Sequence, residues 1–225
     1  MTRYDYPKEM EVAGATALFS RPDTGDSPTS YPAPTYSAVK AIYESILWGA
    51  AVEVVPQRVE ICKPIQWHSY ATNYGGPLRN PSNIKKGTNY QLFATVLVDV
   101  CYKFYAIARP NFRKEGLPVS AREWDSKTTS PGHAYQEIFK RRLKRGQSYA
   151  SLYLGWKEFT PSYFGPLRKT TQVCKDMPDI HISSMLRCMF PKGFQSEYQA
   201  IYDTDLTIHE GVLVYPKRGG LSYDQ

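Results

Sequence analysis

Cysteine and histidine are scarce in this sequence, and their spacing excludes several kinds of site. The four cysteines, Cys62, Cys101, Cys174 and Cys188, lie far apart and form no Cys-x-x-Cys pair, so we expect no zinc site. Glycine-rich phosphate loops, His-Glu-x-x-His motifs and nucleophile elbows are also missing, and with them the common signatures of nucleotide binding, metalloproteolysis and serine hydrolysis. We therefore expect neither a cofactor nor a metal ion.

Long apolar runs and a signal-type N-terminus are absent as well. The chain opens Met1-Thr2-Arg3-Tyr4-Asp5, and no apolar segment approaches the length of a membrane span. The default expectation that follows is a reduced, cytoplasmic setting and no membrane partner.

Positive charge and tyrosine are the abundant features. The 225 residues carry a formal net charge of +7 and include 18 tyrosines. Basic proteins often bind polyanions, and tyrosine rings can stack on the bases of single-stranded RNA. The alternative is a soluble basic protein whose rings fill its core and sheet faces. With 42% hydrophobic residues, the chain is long enough for one large domain or two small ones.

Alternating apolar residues predict several strands. Residues 11–19 and 93–105 have this pattern over a long stretch, and Val59-Glu60-Ile61 has it over a short one. Residues 152–159 are predicted to form a further strand. Residues 184–190 and 201–215 are expected to form a small antiparallel sheet with a turn at His209-Glu210-Gly211.

Two helices are predicted between these strands. Thr35 can cap the first, whose apolar stripe consists of Val39, Ile42, Tyr43, Ile46 and Leu47. Ser130-Pro131 opens the second, which ends at Gly146. The order of strands and helices up to residue 160 is typical of a ferredoxin-like (RRM-like) fold. We therefore predict an α+β protein with an RRM-like domain at 1–160 and a small C-terminal β-sheet domain at 161–225.

The end of the second predicted helix is the main candidate for phosphate binding. It carries Lys140, Arg141, Arg142, Lys144 and Arg145, followed by Gly146-Gln147. An arginine guanidinium can donate two parallel hydrogen bonds to phosphate oxygens, and glycine allows a ligand to approach the backbone. The alternative is a solvated helix face whose cations favour the helix C-terminus.

A second basic segment runs from residue 73 to residue 89. It has no apolar periodicity and contains Arg79, Lys85 and Lys86. Long irregular segments in compact domains are often functional, so this excursion could clamp nucleic acid. The alternative is a disordered surface loop.

Two stretches carry a family resemblance. Residues 11–22 read EVAGATALFSRP, and Ser30-Tyr31, Thr35 and Ser37-Ala38 continue the same pattern. Residues 139–147 read FKRRLKRGQ and residues 154–159 read LGWKEF, where the family typically has F-x-R-R, G-Q-x and L-G-x-R-E-F. Over residues 8–215 the chain resembles CRISPR-associated protein five of subtype I-C, in the RAMP superfamily.

The resemblance implies both a role and a set of partners. Members of this family bind the 5′ repeat-derived handle of crRNA in the type I effector complex, Cascade, and contact its backbone and large subunits. Target nucleic acid is then reached only through the complex. An RRM-like domain with a protruding thumb, here residues 73–89, is also implied. By the same resemblance, Arg21, Ser30, Tyr31 and Lys157 join the RNA-binding candidates.

Subtype I-C members commonly also cut pre-crRNA without a metal, and here the sequence departs from the family. The resemblance implies a cutting site made of a Tyr at the end of the first helix and a Lys-His pair early in the second. Those positions read Leu47, Ala134 and Tyr135.

Metal-free cleavage needs a base for the RNA 2′-hydroxyl and stabilisation of the developing charge. One hypothesis is therefore a subunit that only binds crRNA. The other is an endoribonuclease with a shifted site built on His133, Tyr135 and Tyr43, with Arg141 assisting. A weaker alternative is a generic RRM-like protein in which Tyr102 and Phe104 stack bases.

Overall fold

The computed structural model describes residues 5–74, 81–85, 90–110, 118–127, 130–190 and 197–217. Eight strands are described: β1 (Tyr6–Ala17), β2 (Val52–Ile61), β3 (Gln66–Tyr74), β4 (Tyr90–Pro110), β5 (Tyr163–Gly165), β6 (Ile180–Cys188), β7 (Ile201–His209) and β8 (Val212–Val214). The described helices are α1 (Tyr36–Ile46), α2 (Pro81–Lys85), α3 (Val119–Lys127) and α4 (Pro131–Lys144). The prediction of a mixed α+β fold is confirmed, with a single antiparallel sheet as its main feature.

The sheet joins strands from both ends of the chain. Its order is β5-β1-β4-β2-β8-β7-β6, and β3 pairs with β4 beside that path. β8 pairs with β2 at Glu60↔Val212 and Arg58↔Val214, so strands on both sides of residue 160 share this sheet. The division into two domains at residue 160 stays a prediction.

β4 is the longest described strand, and its two halves pair with different strands of the sheet. Its first half pairs with β3, and its second half pairs with β1 and β2. Between the halves, Asp99 has a φ of 51°, a left-handed conformation that Asp tolerates better than most residues. Lys63 forms an ion pair with Asp99 there.

α1 forms as predicted and covers one face of the sheet. Thr35 caps it, because its side chain accepts a hydrogen bond from the Ala38 amide; such a cap stabilises a helix by about 1 kcal/mol. The buried stripe is Val39, Ile42, Tyr43 and Ile46. Apolar residues at this spacing lie on one face of a helix, which here packs into the core.

α4 lies beside α1, and its start differs from the prediction in one detail. Pro131 occupies the first turn as expected, but Ser130 makes no side-chain cap. Its hydroxyl instead lies 2.6 Å from the hydroxyl of Tyr6 on β1. The helix buries Tyr135, Phe139 and Leu143, which pack against the sheet and α1.

The predicted strand at residues 152–159 is wrong. This segment is a compact turn in which the Leu154 amide donates to the Phe159 carbonyl at 2.7 Å, and the Leu154 carbonyl accepts from the Leu18 amide at 2.9 Å. Gly155 has a φ of 94°, and an added Cβ would lie 1.7 Å from the Leu18 carbonyl oxygen. The burial of Leu152, Leu154 and Phe159 thus comes from the packing of this turn.

The C-terminal hairpin matches its prediction. β7 and β8 are joined at Glu210 and Gly211, whose φ values are 47° and 75°. Two consecutive positive φ values are typical of the tight turns that fit the twist of a hairpin.

Candidate nucleic-acid interface

The C-terminal end of α1 is held by α4 through its last carbonyl groups. The Tyr135 hydroxyl donates to the Leu47 carbonyl at 2.5 Å, and the Arg142 guanidinium donates to the Ile46 carbonyl at 2.9 Å. Carbonyls in the last turn of a helix have no partner within the helix, so α4 supplies the missing donors. The two helices are thereby fixed relative to each other.

The chain after α4 returns to the same end of α1. Gly146 has a φ of 63°, and this turn lets the Gln147 amide donate to the Arg142 carbonyl at 2.9 Å. The amides of Tyr149 and Ala150 then both donate to the Ser45 carbonyl, at 2.8 and 2.9 Å. We call residues 45–49 together with residues 140–150 the α1–α4 junction.

The α1–α4 junction presents a group of exposed cations. Lys140, Arg141, Lys144 and Arg145 are exposed, and so are Gly146 and Gln147. Lys140 lies 3.4 Å from Glu137, whereas Arg142 is half-buried and bonded to Ile46. The sequence-predicted basic cluster therefore divides into exposed cations that could contact phosphates and one arginine that closes the helix end.

Comparison with known proteins identifies the family. The family model of the CRISPR-associated Cas5 proteins named Cas_Cas5d matches residues 9–214. The chain belongs to this family. A protein of Thermus thermophilus named as the CRISPR pre-crRNA endoribonuclease Cas5d is 30% identical over 161 residues, which cover 70% of this chain and 63% of that protein. The chain thus spans less than two thirds of that relative's length.

Two further comparisons agree with the family. A protein of Mannheimia succiniciproducens with the same name is 28% identical over 170 residues, covering 69% of this chain and 70% of that protein. A crystal structure of a CRISPR-associated protein superposes with a TM-score of 0.69 at 17% identity, covering 96% of this chain and 95% of the other. At that identity the superposition establishes a shared fold.

Two of the three positions at which the family resemblance implies cutting groups, Leu47 and Tyr135, meet at the C-terminal end of α1. Leu47 is partly buried against the core, and Tyr135 is 3% exposed with its hydroxyl on the Leu47 backbone. Burial raises the pKa of Tyr135, and the charge of Glu44 adds to the effect. The phenol at the family's His position is therefore protonated and committed to a structural hydrogen bond.

The other proposed members of a shifted cutting site differ in exposure. Tyr43 is fully buried, donates to the Phe104 carbonyl at 2.8 Å, and has a pKa raised far above 10 by burial. His133 is exposed, with its ring centroid 6.2 Å from that of Tyr6. Tyr43 and Tyr135 do share a neighbour, because both rings pack on Phe139. A catalytic role for this set stays a prediction, and the burial of both phenols argues against it.

Lys8 is an unusual group that sequence reasoning missed. It is 3% exposed, and its ammonium lies 5.8 Å from the centre of the Tyr135 ring. Burial lowers the pKa of Lys8 to about 7, and the nearby charge of Lys140 adds to the shift. The sequence feature that could have identified Lys8 as buried is its position on β1. Side chains alternate between the two faces of a strand, so residue 8 lies on the same buried face as Met10 and Val12.

The RNA-binding candidates in the first loop have structural partners. The Ser30 hydroxyl accepts from the Phe19 amide at 2.9 Å, and the buried Tyr31 hydroxyl accepts from the Leu186 amide at 3.0 Å. Arg21 is exposed but paired with Asp23 at 2.7 Å, and its guanidinium lies 5.9 Å from the centre of the Tyr31 ring. An RNA role for these residues stays a prediction.

The remaining candidates are scattered along the chain. Lys157 is exposed on the turn that follows Gly155, and Lys85 is exposed at the end of α2. Arg79 and Lys86 lie outside the described residues. The thumb prediction for residues 73–89 therefore rests mostly on residues that the structure does not describe.

In the part of the chain that the structure describes, no group of three or more His, Cys, Asp and Glu side chains is arranged to hold a metal ion. None of the described helices is both long enough and apolar enough to cross a membrane.

Proposed function

We propose that this Cas5d-family chain is the crRNA-binding subunit of a type I CRISPR-Cas effector complex and holds the 5′ repeat-derived handle. Family membership and the exposed cations of the α1–α4 junction support the proposal. The exposed cations are the observation that carries it. The hydrogen bond from Tyr135 to the Leu47 carbonyl favours binding without cleavage, because it places a structural contact where the resemblance implies cutting groups. The partners would be crRNA and the other Cascade subunits, with target nucleic acid reached through the complex in the cytoplasm.

The proposal extends to the finer details of the fold. The strand order β5-β1-β4-β2, with α1 and α4 as crossovers, supports a ferredoxin-like core as in RAMP proteins. β3 pairs with the first half of β4 beside the main strand order, and these two strands lead to and from residues 75–89, which supports a thumb around residues 73–89. A C-terminal unit beginning near residue 161 would add β6, β7 and β8.

A phosphate-binding role suits the geometry of the junction. Arg141, Lys144 and Arg145 are exposed within the last turns of α4, so their charges can reach phosphates at successive positions of an RNA strand. Arginine also forms paired hydrogen bonds to phosphate oxygens. The contacts that join α4 to α1 hold the backbone that carries these cations in place.

Metal-independent cleavage of pre-crRNA is the second candidate function. Both relatives described above are named as pre-crRNA endoribonucleases. In such a reaction the 2′-hydroxyl loses its proton, its oxygen attacks the adjacent phosphorus, and the 5′-oxygen leaves with a proton. In this chain His133 is exposed near Tyr6, and histidine is the side chain that most often serves as a general acid or base. His133 is accordingly the residue on which this alternative depends.

The generic RRM-like alternative has less support. It requires Tyr102 and Phe104 to offer their faces to RNA bases. Both side chains are buried and their rings stack on each other at 5.9 Å, so they belong to the core.

One experiment separates the first two functions. Purified protein is incubated with labelled cognate repeat RNA in EDTA, beside His133→Ala, and both binding and cleavage are measured. We expect the wild type to bind the RNA and leave it intact. Cleavage at one fixed position that His133→Ala abolishes would establish the endoribonuclease instead. Absence of RNA binding would contradict both functions.

A further inference from the structure

We propose that Trp48 and Tyr149 form a stacking platform for unpaired RNA bases at the α1–α4 junction. This inference rests on the proposed crRNA-binding function and names the part of the RNA that the junction contacts. Trp48 is 61% exposed and Tyr149 is 79% exposed. Trp48 and Tyr149 were not among the RNA-binding residues predicted from the sequence.

The backbone on which both rings stand is held at one place. Tyr149 and its neighbour Ala150 donate their amides to the carbonyl of Ser45, which lies three positions before Trp48. On the other side, the Leu47 amide donates to the Tyr43 carbonyl at 3.2 Å, and the Leu47 carbonyl accepts from Tyr135. The two rings therefore project from chain segments that are hydrogen-bonded into the same helix end.

Exposure of large rings on a fixed backbone is favourable for ligand binding. A Trp or Tyr ring offers extensive apolar area, and little backbone freedom remains to be lost when a ligand covers it. Bases stack on such rings with little dependence on sequence, because every base has a π-face. A base in a duplex has both faces covered by its neighbours, so this platform suits unpaired nucleotides.

The charge around the rings selects RNA over a protein partner. Arg141, Lys144 and Arg145 are exposed in the same junction, whereas the buried centres of protein–protein interfaces are depleted of charged residues. A basic surface with interleaved aromatic rings is the usual arrangement for single-stranded nucleic acid, in which cations follow the phosphates and rings take the bases. The platform would thus hold nucleotides next to the phosphates bound by α4.

Binding measurements on the whole chain test this inference. The probe is a labelled oligouridine of about ten nucleotides, within the usual range for single-strand sites, and anisotropy is followed over a series of salt concentrations. The test variant is Trp48→Ala combined with Tyr149→Ala. The ring-retaining variant Trp48→Phe with Tyr149→Phe is compared with it, and Tyr198→Ala, at a tyrosine that is 64% exposed before β7, is the matched control. Thermal unfolding verifies that each variant folds.

Loss of stacking has a distinct signature. We expect the double alanine variant to weaken oligouridine binding at every salt concentration by about 5- to 150-fold for each stacked base that is lost. Its salt dependence should match that of the wild type, because no phosphate contact is lost. The double phenylalanine variant should retain most of the affinity, and Tyr198→Ala should bind like the wild type.

Three outcomes would overturn the inference. Unchanged affinity in the double alanine variant would show that the rings do not contact RNA, while wild-type binding would leave the proposed function standing. Unchanged RNA affinity with lost assembly into the effector complex would make this surface a protein-docking site. Failure of the wild type itself to bind either oligouridine or repeat RNA would contradict the proposed function as well.

Discussion

The hydroxyl of Tyr135 donates a hydrogen bond to the backbone carbonyl of Leu47 across 2.5 Å. The family resemblance implies cutting groups at these two positions, and here the two residues hold one helix against another. Their side chains contribute a ring and an aliphatic group to the core. The contact therefore gives this site a structural use that is independent of RNA cleavage.

Tyr135→Phe should lower the free energy of unfolding and leave RNA binding unchanged. The variant removes one hydrogen bond to a helix-end carbonyl, which costs about 0.5–1.5 kcal/mol when the ring stays in place. Urea unfolding measures the stability, and anisotropy with repeat RNA measures the binding. A variant that lost a cleavage activity present in the wild type would instead make Tyr135 a catalytic residue.

Arg141→Ala should weaken RNA binding, whereas Arg142→Ala should lower the stability of the fold. Arg142→Ala removes the donor to the Ile46 carbonyl and should cost about 1.5–3 kcal/mol of stability, as for a hydrogen bond from a charged group. Arg141→Ala should keep the stability but weaken RNA binding, and it should reduce the slope of log Kd against log salt by about 1. The pair is a matched comparison of neighbouring arginines. Equal loss of affinity with unchanged stability in both variants would contradict this division of roles.

Lys8→Met should stabilise the protein at neutral and acidic pH. The Lys8 pKa is about 7 in the folded protein and about 10.4 in an unfolded chain. Between these values the unfolded state binds more protons, so wild-type stability rises with pH by up to about 1.4 kcal/mol per unit. The burial cost is complete below about pH 7 and absent above about pH 10.4.

The advantage of Lys8→Met should accordingly shrink as the pH rises through this window. Thermal unfolding across the pH range measures it, with Lys157→Met at an exposed lysine as the control. Parallel pH profiles for Lys8→Met and the wild type would show that Lys8 keeps an ordinary pKa.

Glu11→Gln should destabilise the protein at neutral pH, and the difference should narrow in acid. Glu11 is fully buried and accepts hydrogen bonds from the Arg168 amide at 2.8 Å, the Arg168 guanidinium at 2.7 Å and the Thr171 hydroxyl at 2.8 Å. Burial alone would raise the pKa of Glu11, but the contacts from Arg168 and Thr171 outweigh it and hold that pKa below its usual value.

A carboxyl with a lowered pKa contributes stability above the unfolded value and loses it as the pH falls through the folded one. The Glu11 contribution should therefore be complete above the unfolded value of about 4.3 and decline in more acidic solution. Denaturant unfolding of Glu11→Gln and of Glu158→Gln, an exposed control, measures the difference. An equal gap between Glu11→Gln and the wild type at neutral and acidic pH would argue that Glu11 contributes through shape alone.

Local patterns in the sequence determined the elements that depend on local forces. The apolar spacing of α1 together with Thr35, and the turn at Glu210-Gly211, are each set by neighbouring residues along the chain. The basic run from Lys140 to Arg145 and its glycine stop were visible for the same reason. The family resemblance also came from such short runs, and the family match over residues 9–214 confirmed it.

Only the tertiary structure decided which residues serve the fold and which remain exposed. Residues 152–159 were predicted to form a strand, yet the contacts with Leu18 accompany a compact turn there. Arg141 and Arg142 are adjacent and chemically identical, but only Arg142 is bonded to the end of α1. Trp48 and Tyr149 are about a hundred positions apart in the chain, and the hydrogen bonds from the Tyr149 and Ala150 amides to the Ser45 carbonyl bring Tyr149 to the helix end that Trp48 follows. Contacts between distant segments leave no periodic signal in the sequence, because they depend on how the finished elements pack.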